Sequence, residues 1–205
     1  LKKDRKVTII AISGGSGSGK TTAAKKLQQI LGNDICQIVS QDNYYHDHSH
    51  QFKGDGSVNF DHPHAIDFEL MATHLKDLSE NKPINMPDYD FITHTRKKET
   101  IYFEPKTVII VDGTLVLSQE KLREFFDYAI FLDITEDIRF QRRLKRDVEE
   151  RGRSPEGVIL QYQTFVKPMY EAYVQPSQKF ASHVVYDNES LYDLLKEFKK
   201  TFSTN

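Results

Sequence analysis

Apolar and polar positions alternate in blocks along this chain. Val7-Thr8-Ile9-Ile10-Ala11-Ile12 is an unbroken, largely β-branched run. Such a run predicts a strand buried on both faces, here over Lys6 to Ser13. A helix is predicted from Thr21 to Leu31, with Gly32 as its stop. Further strands are predicted over Ile35 to Ser40, Thr107 to Asp112, Tyr128 to Leu132 and His183 to Tyr186. Asp67 to Glu80 places Leu70, Met71, His74, Leu75 and Leu78 on one helical face, with Asp67 as a candidate cap. Other helices are predicted over Ser118 to Phe125, Thr135 to Arg151 and Ser190 to Phe202. One more starts at Ser154-Pro155-Glu156 and runs towards Tyr173, with Pro168 as a kink or break. Gln41 to Pro63 is polar and reads as a long loop, a length that in a compact domain points to function or mobility. Pro83 to Lys98 holds two prolines and reads as extended or turning, with Thr100 to Phe103 pairing with part of it as a hairpin. Strands alternating with helices predict an α/β domain with a mostly parallel sheet, covered by helices on both faces.

Between the first strand and first helix stands Gly14-Gly15-Ser16-Gly17-Ser18-Gly19-Lys20-Thr21, followed by Thr22. It fits the phosphate-loop pattern G-x-x-x-x-G-K-[ST] in the strand-to-helix context that pattern requires. Glycines let main-chain N–H groups fold into a nest around anionic oxygens, and the helix N-terminus adds to that field. Lys20 is expected to reach the β- and γ-phosphates of a nucleoside triphosphate, and the Thr21 hydroxyl to ligate Mg²⁺.

Three other features carry candidate chemistry. The strand ending in Asp112 delivers a carboxylate to the carboxyl edge of the sheet, where open α/β folds bind ligands. Asp112 is therefore a candidate Mg²⁺ ligand, with capping of the next turn as its structural alternative. Asp42 has the same address one strand earlier. It is a candidate base for an attacking hydroxyl and a further metal candidate, or else a turn-forming Asx residue. Arg139, Arg142, Arg143 and Arg146 recur at helical spacing, with Arg151 and Arg153 following across Gly152. Such forks suit phosphate oxygens and vicinal hydroxyls, and about half are expected to be solvated partners of Glu136, Asp147, Glu149 and Glu150. Asn59 to His64 and Pro87 to His94 mix aromatics with polar groups, as a nucleobase pocket or an aromatic satellite core does. His46, His48 and His50 read as solvated loop histidines.

Composition narrows the partners. With 28 Lys plus Arg against 30 Asp plus Glu, the net charge of −2 leaves no basic excess for nucleic acid. The single cysteine, Cys36, excludes an intrachain disulfide and reads as a small buried hydrophobe in a reducing setting. No apolar run approaches membrane-spanning length and no signal peptide is visible, so a cytoplasmic protein without membrane contact is expected. The start at Leu1 points to a trimmed beginning.

Taken together, these stretches resemble the uridine kinase (uridine–cytidine kinase) family of P-loop kinases from about Val7 to Val185. The marks are the phosphate loop, Ser40-Gln41-Asp42-Asn43-Tyr44-Tyr45, Asn59-Phe60-Asp61-His62-Pro63, Pro87-Asp88-Tyr89-Asp90-Phe91 and Thr93-His94-Thr95-Arg96. They continue with Arg142 to Asp147, Glu150-Arg151-Gly152-Arg153, Gln161-Tyr162 and Val166-Lys167-Pro168. The resemblance implies one P-loop kinase domain over 1–205, with a five-stranded parallel sheet. It adds a β-hairpin (about 83–104) over the nucleoside pocket and an Arg-rich lid (about 142–156). It implies phosphoryl transfer from ATP or GTP, with Mg²⁺, to the 5′-hydroxyl of uridine or cytidine. Asp42 would be the base, and Asp61 and Arg143 would bind the ribose with Gln161 nearby. Tyr45, Tyr89 and His94 would line the base site, and Arg146, Arg151 and Arg153 would belong to the lid and phosphate site. A homo-oligomer, commonly a tetramer, is also implied. Three positions depart from the family pattern: Asp112 where glutamate is usual, His64 where an acid is common, and Tyr186-Asp187-Asn188 before the last helix. Two rival readings stay open. One is a related kinase of ribulose phosphate or pantothenate, although a phosphorylated acceptor calls for cations near Asp61 and Tyr89, a stretch that reads as aromatic and acidic. The other is a nucleotide sensor without catalysis.

Overall fold

The computed structural model describes residues 7–50 and 58–202. Its centre is a five-stranded, all-parallel sheet of β1 (Thr8–Gly14), β2 (Cys36–Ser40), β5 (Val108–Asp112), β6 (Tyr128–Leu132) and β7 (His183–Val185), in the order β2-β5-β1-β6-β7. Consecutive strand residues point to opposite faces, so each strand feeds two cores. Ile9, Ala11, Val39, Ile109, Val111 and Phe131 face one core, where they meet α2 (Phe68–Ser79) and α3 (Glu120–Arg123). Ile10, Ile12, Cys36, Val108, Ile110 and Ile130 face the other, against α1 (Lys20–Leu31) and α7 (Asn188–Phe202). Burying each such side chain is worth about 1.5–3 kcal/mol, which is why uninterrupted β-branched runs form central strands. Cys36 is one of these core residues, and burial pushes its thiol up to about 12.

The second sheet is a hairpin of β3 (Ile84–Asp90) and β4 (Thr95–Phe103). The polar run Thr95 to Lys98 therefore belongs to the returning strand, not to the extended segment before it. Its outer face is solvated, which hides it from a hydrophobic reading. The register shifts between Pro87 and Tyr89, where proline has no N–H to give the ladder. Arg96 ties the hairpin to α2, donating 3.0 Å bonds to Asp67 Oδ2 and to the Tyr44 carbonyl. Asn43 adds a 2.9 Å bond to the Pro87 carbonyl.

Other boundaries move for local reasons. Lys6, the expected start of β1, lies outside the described residues, as does the 51–57 part of the long loop. The rest of that loop is not wholly irregular: Gln41–Tyr44 makes a 3₁₀ turn and Tyr45 bridges Ile66. α1 starts at Lys20 because Gly19 sits in the left-handed region just before it. The expected helix over Ser118 to Phe125 splits into a 3₁₀ turn at Val116–Ser118 and the short α3. α4 is Glu136–Glu149, and α5 is Pro155–Gln161 with the Ser154 side chain accepting from the Gly157 N–H. Pro168 does not break the following segment. It lies in α6 (Lys167–Met169) between two π-type stretches, Tyr162–Val166 and Tyr170–Val174, whose wider turns accommodate the missing donor. α7 begins at Asn188, capped by Asp187, whose Oδ1 accepts from the Ser190 N–H at 2.8 Å. Among the described residues no helix is long and apolar enough to cross a membrane.

Candidate active site

β1 and α1 hold the phosphate loop between them. Gly17 has φ +79°, and a Cβ there would sit 2.2 Å from the Arg139 carbonyl oxygen. A Cβ on Gly15 would fall 2.3 Å from Arg139 Nη1. The loop thus lies directly on α4, and only glycine lets it. α1 has no side-chain cap and no acid in its first turn, which leaves its first amides available to an anion. Lys20 is buried and donates a 3.0 Å bond across the loop to the Gly15 carbonyl. Burial pulls its ammonium below the ordinary lysine range, opposed by Asp112 and Asp42. Ser16 and Gly17 line the cavity above the loop, while Thr22 is exposed on α1 outside it.

At the carboxyl edge of the sheet, the Thr21 hydroxyl donates a 2.7 Å bond to Asp112 Oδ2. The other oxygen, Oδ1, is buried with no hydrogen-bond partner. Asp42 shares the same cavity. Burial raises the carboxyl of Asp42 above the usual range, and Asp112 adds to the rise. Burial raises Asp112 too, opposed by Lys20 and Thr21. Two hard carboxylates and a hydroxyl, one oxygen unsatisfied, fit Mg²⁺, which takes one or two carboxylates and fills its remaining positions with waters and phosphate oxygens. Among the described residues no group of three His, Cys, Asp or Glu could hold a metal without such help.

From this edge a cavity of about 920 Å³ runs to the hairpin. Tyr45, Phe60, Asp61, Tyr89 and His94 line its far end. The Phe60 and His94 rings stack with centroids 4.4 Å apart, and Tyr45 lies 5.1 Å from Tyr89. Tyr89 Oη and His94 Nδ1 are 3.3 Å apart. His94 occupies the left-handed region at φ +55°, which turns its ring inward from the hairpin bend. Burial, then the nearby Arg153, His48 and Arg151 lower its imidazole to about 4. The aromatics of this stretch therefore line a cavity rather than form a closed satellite core. Of the loop histidines, His46 and His50 are exposed as expected, but His48 is half-buried with its ring against Phe60.

The arginine run divides. Arg142 is exposed, whereas Arg139 and Arg143 are buried. Arg139 stacks on Tyr170 beneath the phosphate loop, 3.9 Å from the ring centre. Arg143 donates to Ser16 Oγ at 2.9 Å and to Gln161 Oε1 at 3.0 Å, and its Nη1 lies 3.9 Å from Asp61 Oδ1. Arg153 donates to the same Gln161 oxygen at 2.7 Å. Arg143, Arg146, Arg151 and Arg153 all line the cavity, so the stretch around Asp61 is not only aromatic and acidic: the fold brings cations to it from α4 and the following turn.

Lys20, Thr21, Asp42, Tyr45, Asp61, Tyr89, His94, Asp112, Arg143, Arg146, Arg153 and Gln161 thus meet in one cavity. Gly14, Gly15, Ser18 and Gly19 belong to the loop without lining the cavity. Sequence reasoning gave no role to Phe60 as a stacking partner of His94, to Arg139 as the floor of the loop, or to Asp147 as a buried partner of the arginines. Asp147 stood four positions after Arg143, a signal of pairing but not of burial.

Comparison with known proteins gives the family and the fold. The model of the phosphoribulokinase / uridine kinase family matches residues 9–197. A uridine kinase from Limosilactobacillus reuteri is 41% identical over 199 residues, covering 95% of this chain and 91% of its own. A uridine kinase from Staphylococcus epidermidis is 46% identical over 179 residues, covering 87% of this chain and 86% of its own. The structure of phosphoribulokinase from Rhodobacter spheroides shares the fold at a TM-score of 0.63 and 13% identity, over 87% of this chain and 69% of that one.

Proposed function

The chain belongs to the phosphoribulokinase / uridine kinase family, and from that premise we propose that it transfers the γ-phosphoryl group of ATP or GTP to the 5′-hydroxyl of uridine or cytidine. It is a phosphotransferase of the P-loop kinase fold. The observation that carries the acceptor is the single cavity with Lys20 and Thr21 at one end, stacked aromatics at the other, and Asp42 on its wall.

In this reading the amides of Gly14 to Thr22 and the Lys20 ammonium hold the triphosphate. Thr21, Asp112 and Asp42 would hold Mg²⁺, which when bound neutralises charge on the phosphates. Asp42 accepts the proton of the attacking hydroxyl and keeps it aligned. Its raised carboxyl makes it a better base than a solvated aspartate. Asp61 and Arg143, with Gln161, take the ribose hydroxyls. Tyr45, Tyr89 and His94 bracket the base. Neutral His94 can donate from one ring nitrogen and accept at the other, which suits the edge where uracil and cytosine differ. Arg146, Arg151 and Arg153 close over the phosphates and keep water out. Cytoplasmic operation in pyrimidine salvage and a homotetramer belong to the same reading and rest on the family likeness.

The test is a nucleoside panel with ATP and with GTP as donors, including ribulose phosphate and pantothenate as acceptors. Monophosphate formation from uridine or cytidine is expected. A folded protein that turns over neither pyrimidine would overturn the assignment.

A further inference from the structure

Asp147 is fully buried on α4, and four guanidiniums converge on its carboxylate. Arg146 Nη2 lies 2.7 Å from Oδ1 and Arg151 Nη1 3.4 Å from the same oxygen. Arg143 Nε lies 3.5 Å and Arg153 Nη1 3.8 Å from Oδ2. The main chain joins in: the Arg153 N–H donates a 3.1 Å bond to the Asp147 carbonyl. Gly152 makes this return possible, with φ +65° at the turn between α4 and α5.

The four arginines face different parts of the cavity. Arg143 contacts Ser16 of the phosphate loop, Gln161 and Asp61. Arg153 shares Gln161 with it. Arg146 and Arg151 electrostatically influence Asp42, and Arg146 also influences Lys20. One carboxylate cannot neutralise four guanidiniums, so the cluster stays cationic towards the cavity. Without that carboxylate, four like charges would repel one another, and long side chains would be free to splay.

From this geometry we infer that Asp147 is a positioning residue for phosphoryl transfer: its buried carboxylate aims Arg143, Arg146, Arg151 and Arg153, which line the cavity between the phosphate loop and its aromatic end, at one reaction centre. This rests on the activity proposed above. Asp147 is buried and does not line the cavity. It acts through the arginines, and displacing them by a fraction of an ångström is enough to lower the rate, because transition-state stabilisation depends on preset geometry.

A double-mutant cycle on kcat tests it, using Asp147→Asn, Arg146→Ala and the combination in the full chain. Asp147→Asn is expected to fold and to lower kcat by at least about tenfold, and to cost at least about threefold less in the Arg146→Ala background, because part of its effect runs through Arg146 while the other three arginines still depend on it. A merely structural Asp147 gives additive losses in the cycle, and that result overturns the proposal. If Asp147→Asn does not fold, Asp147→Glu carries the test. It keeps the charge but moves the carboxylate by one methylene, so a tenfold fall in kcat supports aiming and an unchanged kcat refutes it. The affinity of each variant for a fluorescent nucleoside triphosphate is measured alongside, with the same non-additivity expected. That measurement needs no acceptor, so a wild-type chain inactive on every nucleoside would sink the proposed activity and leave the inference about Asp147 testable.

Discussion

Thr21 and Asp112 are joined by a 2.7 Å hydrogen bond between the first turn of α1 and the carboxyl end of β5. Separated by 91 positions in sequence, they are neighbours because β1 and β5 pair in parallel register, Ile12 against Asp112. The bond occupies one carboxylate oxygen and leaves Oδ1 buried and unsatisfied. Asp112→Asn keeps an acceptor for Thr21 and removes the charge. The fold should survive, while the Mg²⁺ concentration for half-maximal rate rises by about tenfold or more. Mg²⁺ titration of the initial rate checks this, and an unchanged requirement would remove Asp112 from the metal site.

Asp42→Asn should bind nucleoside normally and lose about 10²–10⁴ in kcat, the usual worth of a general base. The sign of its effect on stability is opposite. The raised carboxyl means the folded state prefers Asp42 protonated. Its favourable contribution is present at low pH and lost as pH rises through the folded-state pKa. The amide should therefore raise Tm at neutral pH by about 2–4 °C, and the gain should shrink on acidification. Thermal melts of both proteins across pH would contradict this if the variant's gain in Tm over wild type were no larger at pH 7 than at pH 4.

His94 is held near pKa 4 by burial and by adjacent cations. It is therefore neutral throughout the working range, and nucleoside KM should be flat above about pH 5.5 on its account. Because the folded state disfavours the imidazolium, stability is lost as pH falls from the ordinary histidine range towards about 4. NMR titration of the ring checks the pKa directly. His94→Ala removes the stack on Phe60 and should raise nucleoside KM about tenfold or more, with triphosphate affinity unchanged.

Gly17→Ala combines a left-handed φ with a Cβ 2.2 Å from the Arg139 carbonyl oxygen. The backbone penalty alone is about 1–2 kcal/mol, and the clash adds to it by lifting the loop from α4. Fluorescent-triphosphate binding should weaken at least about a hundredfold with a lowered Tm. Wild-type affinity would show that the loop does not need its seat on Arg139.

The central strands and the phosphate loop were legible because their signals are local. β6 falls where its apolar run predicted, and Gly14 to Thr21 carries its own conformational requirement in its glycines. The hairpin was half legible. Its returning strand, Thr95–Phe103, is mostly exposed, so alternating polarity was absent where pairing with β3 and the anchor at Arg96 decide the structure. His48 reads as a solvated loop residue by composition, yet packs on Phe60, because a loop's burial depends on what folds beneath it.

The chain's own residues determined a parallel α/β sheet, an anion nest with a lysine, and carboxylates at the sheet edge, since backbone freedom and periodic burial are properties of neighbouring positions. Tertiary structure alone decided how four arginines share buried Asp147, that Arg139 forms the floor of the loop, and that Phe60 meets His94 across the cavity. The physical reason is range. Whether a charge is solvated or buried, and whom it faces, depends on groups distant in sequence that packing brings within a few ångströms.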